Sequence, residues 1–545
     1  MKPEAYQPPA GTPRPDTSVA TQPTPQPQSP VTPPLNGPWP AVSAFGPRWP
    51  GPVRPAAPAT IAALLLAALV AAISLPLDQG GVGWLVTAVA GTLALVVARL
   101  IPQHPRRTSV PWPQLTRAES KLDPARFGWA AATVALLGVG TIRSAGWLVL
   151  LCLATALLTS ALAVAGGRSI RAMATASVMS VAAGFRALPW LSRGLGAVRR
   201  RGTGSSDGTR VAATVAVSVA LLVVFGTLFA SADAAFAEVL SKAVPNIDGG
   251  TVARWIFVFV VTVGVLGGAA FLRAAPPDLS GMDGAAKRRV GRLEWAVPLA
   301  LLVLLFAMFV AVQLTVLFGG SRHVLTTDNL TYADYARGGF WQLLVVTGLT
   351  LLVLAGAARW APRTTRTDRV LIRVILGALA ALTLVVVASA MHRMDVYADT
   401  YGLTRLRILV ALCELWLGVV FLMVLIAGIR LRAAWLARSV VAAGVLALLG
   451  LAAANPDGLI ADRNITRYEQ TGRIDQSYLA TLSPDAVPAI ERLKQPHRDC
   501  VLGAIAAELP GDDWRSWSYG RAHARELFAA NPPVTPEKCE PMYRW

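Results

Sequence analysis

Runs of about 20 consecutive apolar residues are the feature that most constrains this chain. They begin near Ala59 and recur until Ala454, with polar segments between them. A helix of about 20 residues crosses a hydrocarbon layer, in which every backbone polar group needs a partner within the protein. Of the 545 residues, 54% are hydrophobic and only 15% are charged, against about 25% charged in soluble domains. The sequence therefore predicts an all-α polytopic membrane protein.

The apolar runs divide the chain into three parts. Residues 1–57 are rich in Pro, Gln, Thr and Ser, which bury too little apolar surface to fold, so they predict a disordered cytoplasmic tail. Residues 58–454 predict a transmembrane domain, and residues 455–545 predict a small helical domain outside the membrane. About eleven membrane helices are expected, at 59–76, 81–101, 127–142, 145–166, 210–231, 251–272, 294–318, 340–358, 370–391, 404–428 and 438–454.

Two regions have other helical patterns. Residues 168–201 mix arginines with small and apolar residues, which predicts an amphipathic segment in the cytoplasmic membrane interface. In the C-terminal part, capping residues, prolines and Gly472 predict four short helices, at 457–471, 484–494, 500–509 and 513–530.

The basic residues predict how the chain is oriented. They collect in the loops after the second, fourth, sixth, eighth and tenth predicted helices, and the alternate loops contain fewer. Because basic loops stay in the cytoplasm, the N-terminus is expected inside, and an odd number of spans places the C-terminal part outside. The net charge of +19 is therefore interpreted as loop charge and not as a nucleic-acid-binding surface.

The cysteines favour the same placement. Cys500 and Cys539 are the two cysteines of the C-terminal part, and an even pair outside the membrane predicts a disulfide. The alternative is a metal site completed by His497 and His523. Their spacing matches no common zinc pattern, so the disulfide is favoured and no metal is expected.

Four polar motifs fall on the predicted outer side of the membrane. They lie at 228–240, 317–343, 391–407 and 453–472. They are interpreted either as interfacial anchors or as the lining of an outward-facing cleft with the C-terminal part as its lid. The last motif is expected to dock onto the outer loops. The candidate residues are Asp233, Asp334, Arg337, His392, Asp395, Asp399, Arg405, Asp462, Arg463, Asn464 and Arg467.

Two polar residues fall within predicted spans. Glu414 is expected near mid-depth of the tenth helix, where a charged carboxylate is costly, so it should be paired or protonated. Gln313 in the seventh helix is a milder case. Glu414 is either a proton- or cation-binding group or a structural hydrogen-bond lock between helices. Arg407 lies about two turns away and is no obvious direct partner.

The outer motifs also resemble a known family. The stretches LFASADAAFAEVL, TYADYARGGFWQL, DVYADTYGLTRLRI and NPDGLIADRNITRYEQTG resemble the actinobacterial membrane family called domain of unknown function 4173. The resemblance runs from about the fifth predicted helix through the C-terminal part. It implies a polytopic membrane fold and brings no catalytic residues to this chain.

The sequence leaves several functions open. No phosphate-binding loop, metalloprotease motif or nucleophile elbow is present in a suitable context, and no cofactor is expected. The favoured hypothesis is a non-enzymatic envelope protein that binds, senses or scaffolds, with the lipid bilayer and an envelope protein as partners. The first alternative is a secondary transporter or ion-coupled permease that uses Glu414. The less favoured alternative is a membrane enzyme that acts on a lipid-linked substrate with Asp334, Asp395 or Asp462. The oligomeric state is left open.

Overall fold

The membrane part of the chain consists of helices. The computed structural model describes Trp49 and residues 51–100, 124–167, 169–201, 249–277, 290–318, 332–431, 433–511 and 513–533, with scattered positions between 214 and 238. The helices of this part are α1 (Pro58–Ser74), α2 (Val82–Leu100), α3 (Pro124–Ile142), α4 (Gly146–Ala165), α5 (Ile170–Arg201), α6 (Gly249–Ala274), α7 (Arg292–Phe318), α8 (Tyr332–Trp360), α9 (Arg366–Tyr401), α10 (Arg405–Arg430) and α11 (Leu436–Ala453).

Within the described ranges, nine helices are long and apolar enough to cross a membrane, namely α2 to α4 and α6 to α11. The apolar helix α1 is shorter, with 17 residues. The described residues are thus helical apart from turns and loops, and the chain is a multi-pass membrane protein. The predicted helix at 210–231 lies largely outside the described residues, so the total of eleven stays a prediction.

The helices form two bundles. Helices α1, α2 and α4 to α6 share a core around Trp190 and Phe271, and Gly184 and Gly268 let the backbones of α5 and α6 approach closely. Helices α7 to α10 share a second core around Leu379 and Phe421. Helix α11 packs against α3, α4 and α10 and so connects the bundles.

Two predicted segments differ in detail from the structure. The compact part begins by Trp49, within the predicted disordered tail 1–57, because the Trp49 indole donates to the Ala275 carbonyl at 2.8 Å and Arg186 stacks on its ring. Residues 168–201 contain the helix α5, which packs against α1 and α6. Its place at the membrane interface stays a prediction.

Helix α9 is longer than a membrane crossing requires. Its 36 residues span about 54 Å, against a hydrocarbon thickness of about 30 Å. It begins with a capping box between Thr365 and Asp368, and the Asp368 carboxylate also accepts from Arg292 of α7. Its last turns project towards the C-terminal segment, the name used here for residues 456–533.

The C-terminal segment belongs to the same compact unit as the membrane helices. Its core contains Ile460, Val487, Ile490 and Val501. Its helices are α12 (Pro456–Thr471), α13 (Gln476–Ala480), α14 (Val487–Ile490), α15 (His497–Ala507) and α16 (Tyr519–Ala530), with 3₁₀ turns at Pro484–Ala486 and Trp514–Ser516.

Two of the four short helices predicted here are shorter than expected. In place of a helix at 484–494, a 3₁₀ turn is followed by α14, which ends at Ile490. In place of one helix at 513–530, Ser518 adopts an extended conformation and caps α16 afresh, its side chain accepting from the Arg521 amide. Both differences arise because capping residues and prolines start new turns and interrupt longer helices.

Candidate functional site: carboxylates beneath the C-terminal segment

Three turns between membrane helices meet the C-terminal segment at one end of the bundles. The amide of Val82, at the start of α2, donates to the Trp517 carbonyl at 3.0 Å. The amide of Ser144, between α3 and α4, donates to Asp485 at 2.7 Å. The amide of Leu403, between α9 and α10, donates to Asn464 at 3.0 Å. These contacts fix the segment over the helix ends.

Asp457 is the most fully engaged carboxylate of this contact surface. It is completely buried at the start of α12. Arg405 donates to both of its oxygens, at 3.2 and 2.8 Å. The Trp147 indole adds a bond of 3.0 Å and the Ser483 amide one of 2.8 Å. Both oxygens are therefore occupied by donors from three distant parts of the chain.

The charge state of Asp457 follows from these partners. Burial raises the pKa of Asp457, but the hydrogen bonds and charge of Arg405, with the Ser483 amide, outweigh burial and hold the pKa below its ordinary value. Asp457 is therefore ionised at neutral pH and forms a buried ion pair with Arg405. A sealed carboxylate of this kind stabilises the contact and is not accessible to a substrate.

Asp485 forms a second anchor. Its Oδ2 accepts from the amides of Ser144 and Ala145 at 2.7 and 3.1 Å and from the Ser483 hydroxyl at 3.2 Å. Its other oxygen lies against Gly520, where a Cβ atom would overlap it. Burial raises the pKa of Asp485 despite the hydrogen bonds from Ser144. The start of α4 is thus capped by a side chain from the C-terminal segment.

Helix α12 holds the turn between α9 and α10. Asn464 accepts from the Leu403 amide and donates to the Leu403 carbonyl at 2.8 Å. Arg467 donates to the Thr400 carbonyl at 2.7 Å. Gly402, at φ +82°, fits the left-handed conformation of this turn and leaves room for the Asn464 side chain. Side chains of α12 thus satisfy backbone groups that the turn leaves open.

Arginines complete the contact. Arg143 donates to the carbonyls of Ala452 and Ala453 at 2.7 and 3.0 Å, and so caps the end of α11. Arg521 is 4% exposed and donates to the carbonyls of Gly80 and Ser516. Burial lowers the pKa of Arg521. Both side chains thus donate to backbone carbonyls at the ends of helices and in turns.

The structure brings together part of the predicted outer cluster. Arg405, Asn464 and Arg467 lie at the contact described above. Arg463 pairs with Asp399 at 3.6 Å, with both side chains exposed.

The other members of the predicted cluster lie elsewhere. Asp462 pairs with Arg492 inside the C-terminal segment, and His392 and Asp395 are exposed on the projecting end of α9. Asp233 is exposed and accepts from the Phe236 amide at 3.3 Å. The side chains of Asp334 and Arg337 lie outside the described residues. A single cleft formed by all four motifs stays a prediction.

Inside the membrane bundle, Glu414 is completely buried. Neither of its oxygens has a hydrogen-bond partner among the described residues. Gln313 accepts from Arg393 at 2.6 Å. Arg407 lies at the start of α10, the helix that contains Glu414. It donates to the Gly402 carbonyl, and its guanidinium carbon lies 4.4 Å from the centre of the Tyr397 ring. The described residues thus provide no hydrogen-bonding partner for the buried carboxyl group of Glu414.

Among the cysteines, Cys500 is disulfide-bonded, and Cys152 and Cys413 are free. Cys539 lies outside the described residues, so its pairing with Cys500 stays a prediction. His497 contacts Gln476, and His523 stacks on Tyr519. Within the part of the chain that the structure describes, no group of three or more His, Cys, Asp or Glu side chains forms a metal site.

Sequence reasoning missed several residues of the contact surface, namely Trp147, Ser144, Asp457, Ser483, Asp485 and Arg521. It also missed Tyr478, whose hydroxyl accepts from the Arg405 amide at 2.7 Å. A signal for two of them exists in the sequence. Asn455-Pro456-Asp457 and Ser483-Pro484-Asp485 both place an aspartate two residues after a capping residue. Such aspartates are usually explained by the helix dipole, but here both point into contacts with the membrane helices.

Comparison with protein families gives a match. The model of the family DUF4153, described as a domain of unknown function, matches residues 131–493. This range includes Trp147, Arg405, Asp457 and Asp485. The expected kind of family, uncharacterised, is confirmed, while the particular family DUF4173 stays a prediction. Searches of the curated proteins and of the solved structures found no match.

Proposed function

Because this chain belongs to the DUF4153 family, a domain of unknown function, we propose a function from its own geometry. The protein is a non-enzymatic component of the bacterial cell envelope. Its membrane helices hold the C-terminal segment as a fixed surface on the outer face, where it binds, senses or scaffolds an envelope partner. The resemblance to the actinobacterial family 4173 is consistent with this setting.

The observation that carries the proposal is the burial of Asp457. An acid that acts in catalysis must reach its substrate, whereas Asp457 is sealed by Arg405, Trp147 and Ser483. Removing one partner of a buried ion pair typically costs about 3–5 kcal/mol. The arrangement therefore favours permanent docking of the C-terminal segment over chemistry.

The contacts also support eleven spans. Turns at 75–81, 143–145 and 402–404 all meet the C-terminal segment, so they share one face of the membrane. Five described candidate spans lie between the second and third of these turns, and a return to the same face requires an even number. The predicted helix at 210–231 supplies the sixth crossing, with α5 at the interface. The N-terminus then lies in the cytoplasm and the C-terminal segment outside.

Exposed aromatic residues support contact with the bilayer surface. Trp514, Trp517 and Tyr519 are 55%, 44% and 56% exposed. They lie beside the start of α2, where the Trp517 carbonyl accepts from Val82 at 3.0 Å. Tryptophan and tyrosine are enriched at the level of lipid headgroups. The C-terminal segment thus rests on the membrane surface.

Cysteine labelling tests this placement. In intact cells, a maleimide that cannot cross membranes should label Gln470→Cys on α12. Thr367→Cys, at the opposite end of α9, should react only after the membrane is permeabilised. The reverse pattern would overturn the orientation, and equal labelling would overturn the separation of the two faces.

Complementation tests the function. In a strain that lacks this protein, Asp457→Asn should fail to restore resistance to envelope stress such as detergent, because the C-terminal segment is no longer held on the membrane helices. Glu414→Gln should restore it. If Asp457→Asn complements fully while its C-terminal segment is measurably undocked, the fixed outer surface is not the function.

A second candidate function rests on Glu414. A carboxyl that is completely buried in a candidate span, with no partner among the described residues, is suited to carry a proton or bind a cation during transport. In vesicles, Glu414→Gln should then abolish ion-coupled uptake while Asp462→Asn leaves it intact. Failure of Glu414→Gln in the complementation assay, with the C-terminal segment still docked, would favour this function over the first.

A further inference from the structure

A large groove opens between the two bundles, at the end of the helices away from the C-terminal segment. Its volume is about 1950 Å³, above the roughly 300–1,000 Å³ of pockets for small molecules. Its walls come from α4, the start of α5, the end of α8, the start of α9, α10 and α11. It is therefore a feature of the whole bundle and not a local gap beside one side chain.

The groove runs almost through the bilayer. On α10 its lining extends from Leu409 to Ile429, which corresponds to about 30 Å of helix and matches the hydrocarbon thickness of about 30 Å. The lining is mostly leucine, valine and alanine. The indole of Trp416 already donates to the Val440 carbonyl at 3.2 Å. The interior thus suits alkyl chains better than a hydrated solute.

The mouth of the groove is basic. Arg171 of α5, Arg359 of α8, Arg373 of α9 and Arg363 from the turn between α8 and α9 belong to its lining. None of the four forms a salt bridge with an acid among the described residues. Asp368 lies close in sequence to Arg363 and Arg373, but it is buried and forms an ion pair with Arg292. Within the described part of the chain, no acid therefore neutralises the positive charge at the mouth.

Orientation alone would place arginines at this face, since cytoplasmic helix ends are basic. The orientation of the chain does not explain why arginines from three helices and a turn surround one apolar opening. Basic pockets between membrane helices on the cytoplasmic side are suited to anionic lipid headgroups, and arginine binds phosphate through paired hydrogen bonds. Charge and shape thus both match a lipid.

We propose that this groove binds an anionic phospholipid of the cytoplasmic leaflet. Its acyl chains fill the apolar groove, and its phosphate lies on Arg171, Arg359, Arg363 and Arg373. The C-terminal segment lies at the other end of the helices, so this binding does not involve the outer surface. Its assignment to the cytoplasmic leaflet rests on the orientation proposed above.

Native mass spectrometry of the detergent-purified protein tests the proposal. Phosphatidylglycerol should remain bound through delipidation, while phosphatidylcholine is lost. In the double variant Arg359→Gln/Arg373→Gln, affinity should fall about 25-fold, because each arginine near an anionic surface contributes about a factor of five. The matched control is Arg366→Gln/Arg430→Gln, two exposed arginines at the same face that do not line the groove, and it should retain the lipid.

A second variant tests the apolar part. Ala447→Trp, which fills the groove from α11, should displace the lipid although all four arginines are intact. Equal retention of both lipids, or equal affinity in the double variant and its control, would overturn the proposal. So would a groove occupied by a second copy of the chain, detected as a dimer that carries no lipid, or by free glycerol phosphate binding as tightly as the lipid. Unchanged elution and unchanged hydrogen exchange in α12 show that the variants are folded.

Discussion

Asp457→Asn tests most directly how the C-terminal segment is held. The substitution keeps the size of the side chain but removes its charge, and one acceptor oxygen becomes an amide that donates. The donors to that oxygen, which are Arg405 together with either Trp147 or Ser483, then face another donor. Since Arg405 is 30% exposed and can partly rehydrate, the lower end of the usual range applies, about 3 kcal/mol. The undocked fraction should rise about 100-fold.

Hydrogen exchange measured by mass spectrometry reports this change. The amides of α12 are protected as long as the segment is docked, so their exchange in nanodiscs should accelerate by about 100-fold in Asp457→Asn. Amides in the middle of α9 should not change. The variant keeps the length and fold of the chain, so the effect isolates the buried carboxylate.

Asp462→Asn is the matched control. It makes the same chemical change in the same helix, but Asp462 and its partner Arg492 are 48% and 55% exposed. An exposed pair contributes about 1 kcal/mol or less, so exchange should accelerate less than about fivefold. If the two variants accelerate exchange equally, burial of the Asp457 pair does not hold the segment, and the reasoning is refuted.

Three further predictions concern the docking of the C-terminal segment and its disulfide. Gly520→Ala should undock the segment at a cost of about 1–3 kcal/mol, because its Cβ would overlap Asp485; Gly511→Ala, which meets nothing within 4 Å, should behave as the wild type in hydrogen exchange. Docking should be strongest in mild acid. The lowered pKa of Asp457 makes its contribution complete above about pH 4 and loses it as pH falls, whereas the raised pKa of Asp485 weakens docking as pH rises from about 4. Exchange rates corrected for intrinsic pH dependence check this, and Asp485→Asn should remove the decline on the alkaline side. Finally, Cys539→Ser should change mobility on a non-reducing gel, and Cys500→Ser should change it in the same way; unchanged mobility in Cys539→Ser would exclude the predicted pairing.

The membrane helices were predictable because their length is set by the bilayer and their composition by its hydrocarbon. The predicted span 404–428, for example, corresponds to α10 at Arg405–Arg430. The short helices beyond residue 456 were less predictable. There, single prolines and capping residues such as Ser518 decide where a helix starts, and tertiary contacts decide which of them act.

The docking surface was only partly predictable. The polar motifs that contain Asn464, Arg467 and Arg405 can be identified in the sequence, because each is a cluster of polar residues directly beside a predicted membrane span. Asp457 and Trp147 are 310 residues apart, and no periodic pattern connects positions so distant. Asp457 is buried only after the fold brings the turns between the helices together, so its burial cannot be predicted from the local sequence.

The contact between Arg521 and the Gly80 carbonyl joins positions 441 residues apart. At a synthesis rate of about 5–20 residues per second, the first turn leaves the ribosome roughly 20–90 s before its partner exists. During this interval the Gly80 carbonyl lacks the Arg521 partner, because the later spans are still being synthesised. A chain with one span missing or reversed presents its turns on opposite sides and cannot close this contact. Docking of the last helix therefore requires that the intervening spans have inserted with the correct number and direction.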